Sequence, residues 1–189
     1  ARKSKIQEKL YQELRDGLES TDGRINERVT KKSNFPYLHA IVRESHRLTP
    51  SATVSPKKQN SLEDLEIHGV NVPQNSMFLL DSYSMGVDPD YVEEPFEFRP
   101  ERWFDDAVEA RKGTPSEVLD HPFYKAPFSA GSRGCPGSRV AANEVLVFLS
   151  QLVLDWKIAA PDGMTSWEVE LVGLIFPKLP ELEFASRST

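Results

Sequence analysis

The chain has 189 residues, 39% of them hydrophobic, enough for one ordinary domain with its own core or for part of a larger one. A net charge of −6 sets a field that repels nucleic acid, which argues against nucleic acid as a partner. The single cysteine, Cys135, excludes an internal disulfide and a multi-thiolate zinc site, and no apolar run reaches the about 18 residues of a membrane span. The opening ARKSKIQEKLYQEL is charged and amphipathic rather than a signal peptide, so any anchor or targeting segment is expected outside these residues.

Ile6, Leu10, Leu14 and Leu18 recur at helical spacing and predict a first helix, weakened near its end by Gly17. Asp22-Gly23 marks a turn, and the basic segment from Arg28 to Lys32 reads as a solvated connection. Asn34 is a candidate N-cap with Pro36 in the first turn, opening a second helix whose apolar face is Tyr37, Leu38, Ile41, Val42 and Leu48. Leu65-Glu66-Ile67, Val70-Asn71-Val72 and Met77 to Leu80 read as short strands punctuated by Gly69 and Pro73. Residues 85–127 carry too many prolines for long helices, although Asp106 to Arg111 fits a short one. Val140, Ala141, Val145, Leu146, Phe148, Leu149, Leu152 and Val153 form a broad apolar face, predicting a third helix that is the most buried of all. Trp156 to Ala160 and Trp167 to Phe184 read as strands, broken at Pro161-Asp162-Gly163 and at Pro177 to Pro180. The class is mainly α with small β-sheets, an α+β arrangement.

Cys135 lies in FSAGSRGCPGSRVA, just ahead of the third helix, among Gly131, Gly134, Gly137, Arg133 and Arg139. Free backbone N–H groups at a helix start and nearby guanidiniums suit a sulfur anion, and the glycines let a bulky partner approach the backbone. A buried apolar cysteine fits poorly with these neighbours. A nucleophile needs a base, and although His39, His46, His68 and His121 are available, none stands in a local signature. A phosphate loop of the Cys-x5-Arg kind would need arginine where Ala141 stands. An axial thiolate to an iron cofactor needs one cysteine, an approachable loop and cations for the cofactor's carboxylates.

Phe128-x-x-Gly131-x-Arg133-x-Cys135-x-Gly137 resembles the haem-binding signature of the cytochrome P-450 superfamily of monooxygenases, with every defining position filled. Two further motifs stand in the matching order. They are Glu44-x-x-Arg47 on the second helix, and Phe98-Arg99-Pro100-Glu101-Arg102-Trp103, which resembles the family's meander motif. Taken alone, Glu44 and Arg47 would be an exposed pair one turn apart, worth about 0.2–0.5 kcal/mol.

The resemblance implies the carboxy-terminal, haem-binding region of the family's fold. Residues 1–50 would supply two helices, 51–84 β-hairpins, 85–127 the meander and loops, 128–155 the cysteine loop and buried helix, and 156–189 further hairpins. It implies Cys135 as axial ligand of haem, Phe128 beside the sulfur, Arg133 at a propionate, and Gly131 and Gly137 shaping the loop. Lys57 stands where other members carry a propionate-binding arginine, keeping the charge but losing the fork. Glu44, Arg47 and Arg102 would form a buried structural network. Ala52, Val54, Leu174 and Ile175 would line a lipophilic, sterol-like or fatty-acid-like substrate.

The implied reaction inserts one atom of dioxygen into that substrate, with electrons from a ferredoxin or a flavin reductase. Gly86 departs from a commoner histidine and, with Arg139-Val140-Ala141, resembles the mitochondrial-type class. The intact protein is then expected to be membrane-associated, in mitochondria or the endoplasmic reticulum. The family's oxygen-activating helix with its acid–alcohol pair has no counterpart here, so this chain is expected to be a fragment inactive alone. The rivals are a non-catalytic degenerate chain and a haem-thiolate isomerase or peroxygenase.

Overall fold

The computed structural model describes residues 3–50, 54–59, 63–125, 127–129, 131–161, 168–171, 175–178 and 181–187. Helix α1, Ser4–Leu18, follows the predicted stripe and buries Leu10, Leu14 and Leu18 together with Gln7. Gly17 has a packing reason: a Cβ there would lie 2.4 Å from Cε1 of Phe35, whose ring is fully buried. The turn after α1 places Asp22 and Gly23 at φ 51° and 73°, the left-handed region that glycine enters freely. The connection behind it is only partly solvated, because the 3-10 turn Glu27–Thr30 buries Val29 completely.

Helix α2, Pro36–Leu48, begins with proline in its first turn as expected, but Asn34 does not cap it. The Asn34 amide donates to the Arg28 carbonyl instead, at 3.3 Å. The cap comes from α1, where the Glu13 carboxylate accepts the Tyr37 and Leu38 N–H groups at 2.7 and 2.8 Å. A tertiary partner thereby takes over the role that the sequence assigned to a neighbour.

Strands β1 (Val54–Gln59), β2 (Leu65–Ile67), β3 (Val70–Val72) and β4 (Met77–Asp81) make nested antiparallel pairs, β2 with β3 inside β1 with β4. The inner hairpin turns at His68 and Gly69, both at positive φ (49° and 78°), the primed turn that matches strand twist. The outer pair carries an irregularity between Ser55 and Lys58, which is where Pro56 and Lys57 fall. Asp81 then caps the short helix α3, Ser82–Val87, by accepting the Tyr83 and Ser84 N–H groups.

The proline-rich stretch folds into short pieces: a 3-10 turn at Pro100–Trp103, helix α4 at Asp105–Ala110, a 3-10 turn at Pro115–Asp120 and helix α5 at Pro122–Lys125. Helix α6, Ser138–Asp155, closes the first core with α1 and α2, through Leu146 and Val153 against Leu10, Leu14, Leu18 and Leu38. The expectation that it is the most buried helix is not met. Only Leu146, Ser150 and Val153 are buried, while Val140 and Phe148 are 62% and 68% exposed. Its sequence is apolar on more faces than α1 and α2 can cover.

Strands β5 (Trp156–Ala159), β6 (Glu168–Leu171), β7 (Ile175–Lys178) and β8 (Glu183–Ser186) form two antiparallel pairs, β5 with β8 and β6 with β7. Pro177, read as a strand breaker, lies within β7 opposite Val169, which a two-stranded pair allows because each strand keeps an unpaired edge. The outer edge of β5 is covered by Gln7, whose amide donates to the Ile158 carbonyl at 2.8 Å and accepts the Ile158 N–H at 2.7 Å. That side chain imitates a neighbouring strand and docks α1 on β5.

Candidate functional site: the cysteine loop and the Glu44 network

Glu44 and Arg47 share the inward face of α2, one turn apart, because the helix repeat brings i and i+3 together. Both are buried, Glu44 with 0% of its surface exposed. Glu44 Oε1 accepts Nη2 of Arg47 at 2.8 Å, Nε of Arg102 at 3.0 Å and the Arg99 N–H at 2.9 Å. Its Oε2 accepts Nε of Arg47 at 3.0 Å and the Trp103 indole N–H at 2.9 Å. An isolated exposed ion pair is therefore the wrong description. Burial alone would raise the Glu44 carboxyl, but the bonds from Arg47 and Arg99 and the charges of Arg47 and Arg102 hold it below the usual carboxylate range.

The arginines carry the order outward into chain that has no ladder of its own. Arg47 Nη1 donates to the Gly86 and Pro95 carbonyls at 2.7 and 2.6 Å, and its Nη2 to the Glu97 carbonyl at 3.0 Å. Arg102 Nη1 donates to the Glu93 carbonyl at 3.2 Å. A segment without regular structure must place its backbone acceptors somewhere, and here guanidinium forks take them. Glu44, Arg47 and Arg102, the three residues singled out from the motifs, lie together in this cluster. Trp103 belongs with them; its place inside the quoted motif was the signal, and its indole N–H is the reason.

A second group adjoins the first. Asp120 accepts Arg111 Nη2 at 2.8 Å and also pairs with Arg111 Nε, and it accepts Arg43 Nη2 at 3.3 Å. Arg43 lies 3.8 Å over the Trp103 ring. No local spacing links Arg43, Arg111 and Asp120, so the sequence alone gave no sign of this group.

The cysteine loop departs from α5 and enters α6. Its shape is fixed by the Cys135 N–H bonded to the Phe128 carbonyl at 2.9 Å and the Gly134 N–H bonded to the Gly131 carbonyl at 3.0 Å. Ser129 and Gly131 take positive φ, 65° and 76°, so Gly131 is required by the backbone itself. Gly137 is not: its φ is −83° and a Cβ there would only touch Cys135 Sγ, at 3.9 Å. Phe128 meets the ring of His46 from α2 edge-on, with centroids 6.2 Å apart, which ties the loop to the helix that carries Glu44. Burial pushes the His46 imidazole below its ordinary value.

Cys135 is a free, exposed thiol. Among the described residues no group of His, Cys, Asp and Glu could hold a metal ion by itself. One accessible sulfur without companion ligands suits a metal that arrives with its other donors in a macrocycle, so the donor set fits haem. Arg133 closes the 3-10 turn Gly131–Arg133, Lys57 lies in the irregular part of β1, Val54 opens β1 opposite Asp81, and Ile175 opens β7 opposite Leu171. Ala52 and Leu174 lie outside the described residues.

A family model described as Cytochrome P450 matches residues 1–182. The chain belongs to the cytochrome P450 family. Cytochrome P450 71B22 of Arabidopsis thaliana is 35% identical over 173 residues, 90% of this chain and 32% of that relative. 2-Hydroxyisoflavanone synthase of Glycine max is 34% identical over 132 residues, 69% of this chain and 25% of the relative. Flavonoid 3',5'-hydroxylase CYP75B138 of Crocosmia x crocosmiiflora is 32% identical over 168 residues, 88% of this chain and 30% of the relative. The chain thus spans about a third or less of the length of these curated P450 relatives. P450 enzymes are haem-thiolate proteins, and the α+β architecture with small antiparallel sheets agrees with that fold.

The mitochondrial-type reading gains nothing from these relatives, and Gly86 has a local cause. A Cβ at Gly86 would lie 2.6 Å from the Arg47 carbonyl oxygen, where α3 crosses the end of α2. Among the described residues no helix is long and apolar enough to cross a membrane.

Proposed function

We propose that this chain forms the haem-bearing region of a P450 monooxygenase, with Cys135 as the axial thiolate. The observation that carries the reading is a free, exposed Cys135 in a loop held by the Phe128 carbonyl and tied through His46 to the helix of the buried Glu44 network. Bound haem would supply dioxygen activation, inserting one oxygen atom into a lipophilic substrate and releasing the other as water.

The chain's own residues do the holding. The loop leaves the Cys135 thiol exposed; Phe128 would shield the sulfur from water, while Arg133 and Lys57 would meet the propionates. Glu44, Arg47 and Arg102 serve as structural residues, fixing the meander behind the loop rather than touching substrate. Val54 and Ile175, with Ala52 and Leu174, are the substrate-lining candidates, and an external electron donor, a ferredoxin or a flavin reductase, would serve the site. The regions 1–50, 51–84, 85–127, 128–155 and 156–189 act as parts of one larger domain. The apolar surface of α6 around Val140 and Phe148 supports the further proposal that these residues alone do not turn over substrate.

Reduction of the haem-loaded full-length protein under carbon monoxide tests the ligand. The parent is expected to show the red-shifted Soret band of thiolate ligation, and Cys135→Ser to lose it. Retention of that band in Cys135→Ser would place the ligand elsewhere.

A further inference from the structure

Asp120 stands at the end of the 3-10 turn Pro115–Asp120, directly before the stretch that leads through α5 to Phe128 and the cysteine loop. Its carboxylate holds two arginines from different parts of the fold: Arg43, which precedes Glu44 on α2, and Arg111, which follows α4. Its side chain is only 15% exposed and that of Arg111 10%, so this is a largely desolvated group rather than a surface pair. Arg43 Nη2 also donates to the Leu119 carbonyl at 3.1 Å, and Arg111 Nη1 to the Arg102 carbonyl.

Both guanidiniums converge on Trp103. Arg43 stacks at 3.8 Å from the ring centre and Arg111 lies at 5.1 Å, a cation–π arrangement on a buried indole. The Trp103 indole N–H is in turn a donor to Glu44 Oε2. The Glu44 network grips the front of the meander, at Pro95, Glu97 and Arg99; the Asp120 group grips its far end and ties that end back to the same helix.

From this we infer that Asp120 is a positioning residue for the haem-binding loop: through Arg43 and Arg111 it fixes the plane of Trp103, and so the Glu44 carboxylate, and anchors the chain just ahead of α5, from which the cysteine loop departs. This rests on the haem-thiolate reading above. Replacing the carboxylate by an amide would leave two partly desolvated guanidiniums beside one another without the anion that bridges them, while the bulk of the side chain is kept. The expected result is a loop that samples positions in which the sulfur is withdrawn, not simply a less stable protein.

The experiment uses the haem-loaded full-length protein and its ferrous carbon-monoxide spectrum, normalised to haem content. Asp120→Asn is expected to raise the fraction of haem lacking thiolate ligation severalfold, and Asp120→Glu to stay near the parent. Arg43→Lys keeps the charge but loses the flat stack on Trp103 and the Nη2 donor shared by Asp120 and the Leu119 carbonyl, and is expected to shift the fraction in the same direction. Should Asp120→Asn yield no loaded protein, Arg43→Lys carries the decision. A band ratio per haem unchanged in these variants, even with a lowered melting temperature, would reduce Asp120 to a structural role and overturn the inference. A parent protein with no thiolate band would overturn the functional reading as well, so the two failures are told apart.

Discussion

Glu13 accepts the backbone N–H of Tyr37 across two helices, at 2.7 Å, and α2 is thereby capped by α1 rather than by its own leading residue. The same carboxylate takes the Leu38 N–H, so the Tyr37 and Leu38 donors that the start of α2 leaves unpaired, behind Pro36 with no N–H of its own, are both satisfied from a distance. Glu13→Ala is expected to cost about 0.5–2 kcal/mol, the range for losing a cap. Its pH dependence has a definite sign. Burial pushes the Glu13 carboxyl above its ordinary value, in spite of the two backbone donors and Lys9. The folded state therefore binds this proton more tightly than the unfolded one. That contribution is fully present below the ordinary value of 4.5 and is lost as pH rises through the raised value. Glu13→Gln removes it; melting curves of parent and variant across that interval should converge at the acid end. Parallel curves at every pH would sink the assignment.

Glu44 behaves in the opposite sense. Its carboxyl is held below 4.5 by Arg47, Arg99 and Arg102 in spite of burial, so its contribution is present above that value and lost as pH falls through the depressed one. Loss of haem on acidification should follow this proton. Glu44→Ala leaves two buried guanidiniums without their anion, at about 3–5 kcal/mol for breaking a buried pair, and is expected to abolish haem incorporation in the full-length protein. Normal haem content in that variant would refute the network's role.

The contrast between these two glutamates shows what a sequence makes legible. Glu44 stands in one of the two quoted motifs, Glu44-x-x-Arg47 and Phe98 to Trp103, and its carboxylate meets Arg47, Arg102 and Trp103 from those same stretches. The helical spacing of Leu10, Leu14 and Leu18 likewise names their burial. Glu13, Gln7 and Asp120 carry no such mark. Each acts on a backbone or side-chain group far along the chain, and an exposed glutamate or glutamine on a polar helix face has the same local pattern as one that caps a distant helix or covers a strand edge. The face of α6 misled for a related reason. Periodicity reports that Val140 and Phe148 are apolar but not whether a partner covers them, and within these residues they remain exposed.

Gly86 decides between a sequence explanation and a packing one. As a departure from a commoner histidine it reads as a class marker, whereas the fold shows α3 so close to α2 that an added Cβ would meet the Arg47 carbonyl oxygen at 2.6 Å. That neighbour is backbone at the end of a helix and cannot swing aside as a side chain could. The glycine carbonyl also accepts Arg47 Nη1 at 2.7 Å, so moving α3 away to relieve the clash would stretch a bond that the Glu44 network depends on. Gly86 is at neither a strained nor a left-handed φ, so alanine there is opposed by contact alone. Helix propensity favours alanine by about 1 kcal/mol. Forcing extra atoms into a packed contact costs about 1–3 kcal/mol, and here the cost is raised by the weakened Arg47 bond. The clash should win: Gly86→Ala is expected to lower the melting temperature and the haem occupancy of the full-length protein, and Gly86→His to do so more strongly. A Gly86→Ala protein as stable as the parent would show that α3 can shift without disturbing Arg47, and would return the glycine to being a marker of descent.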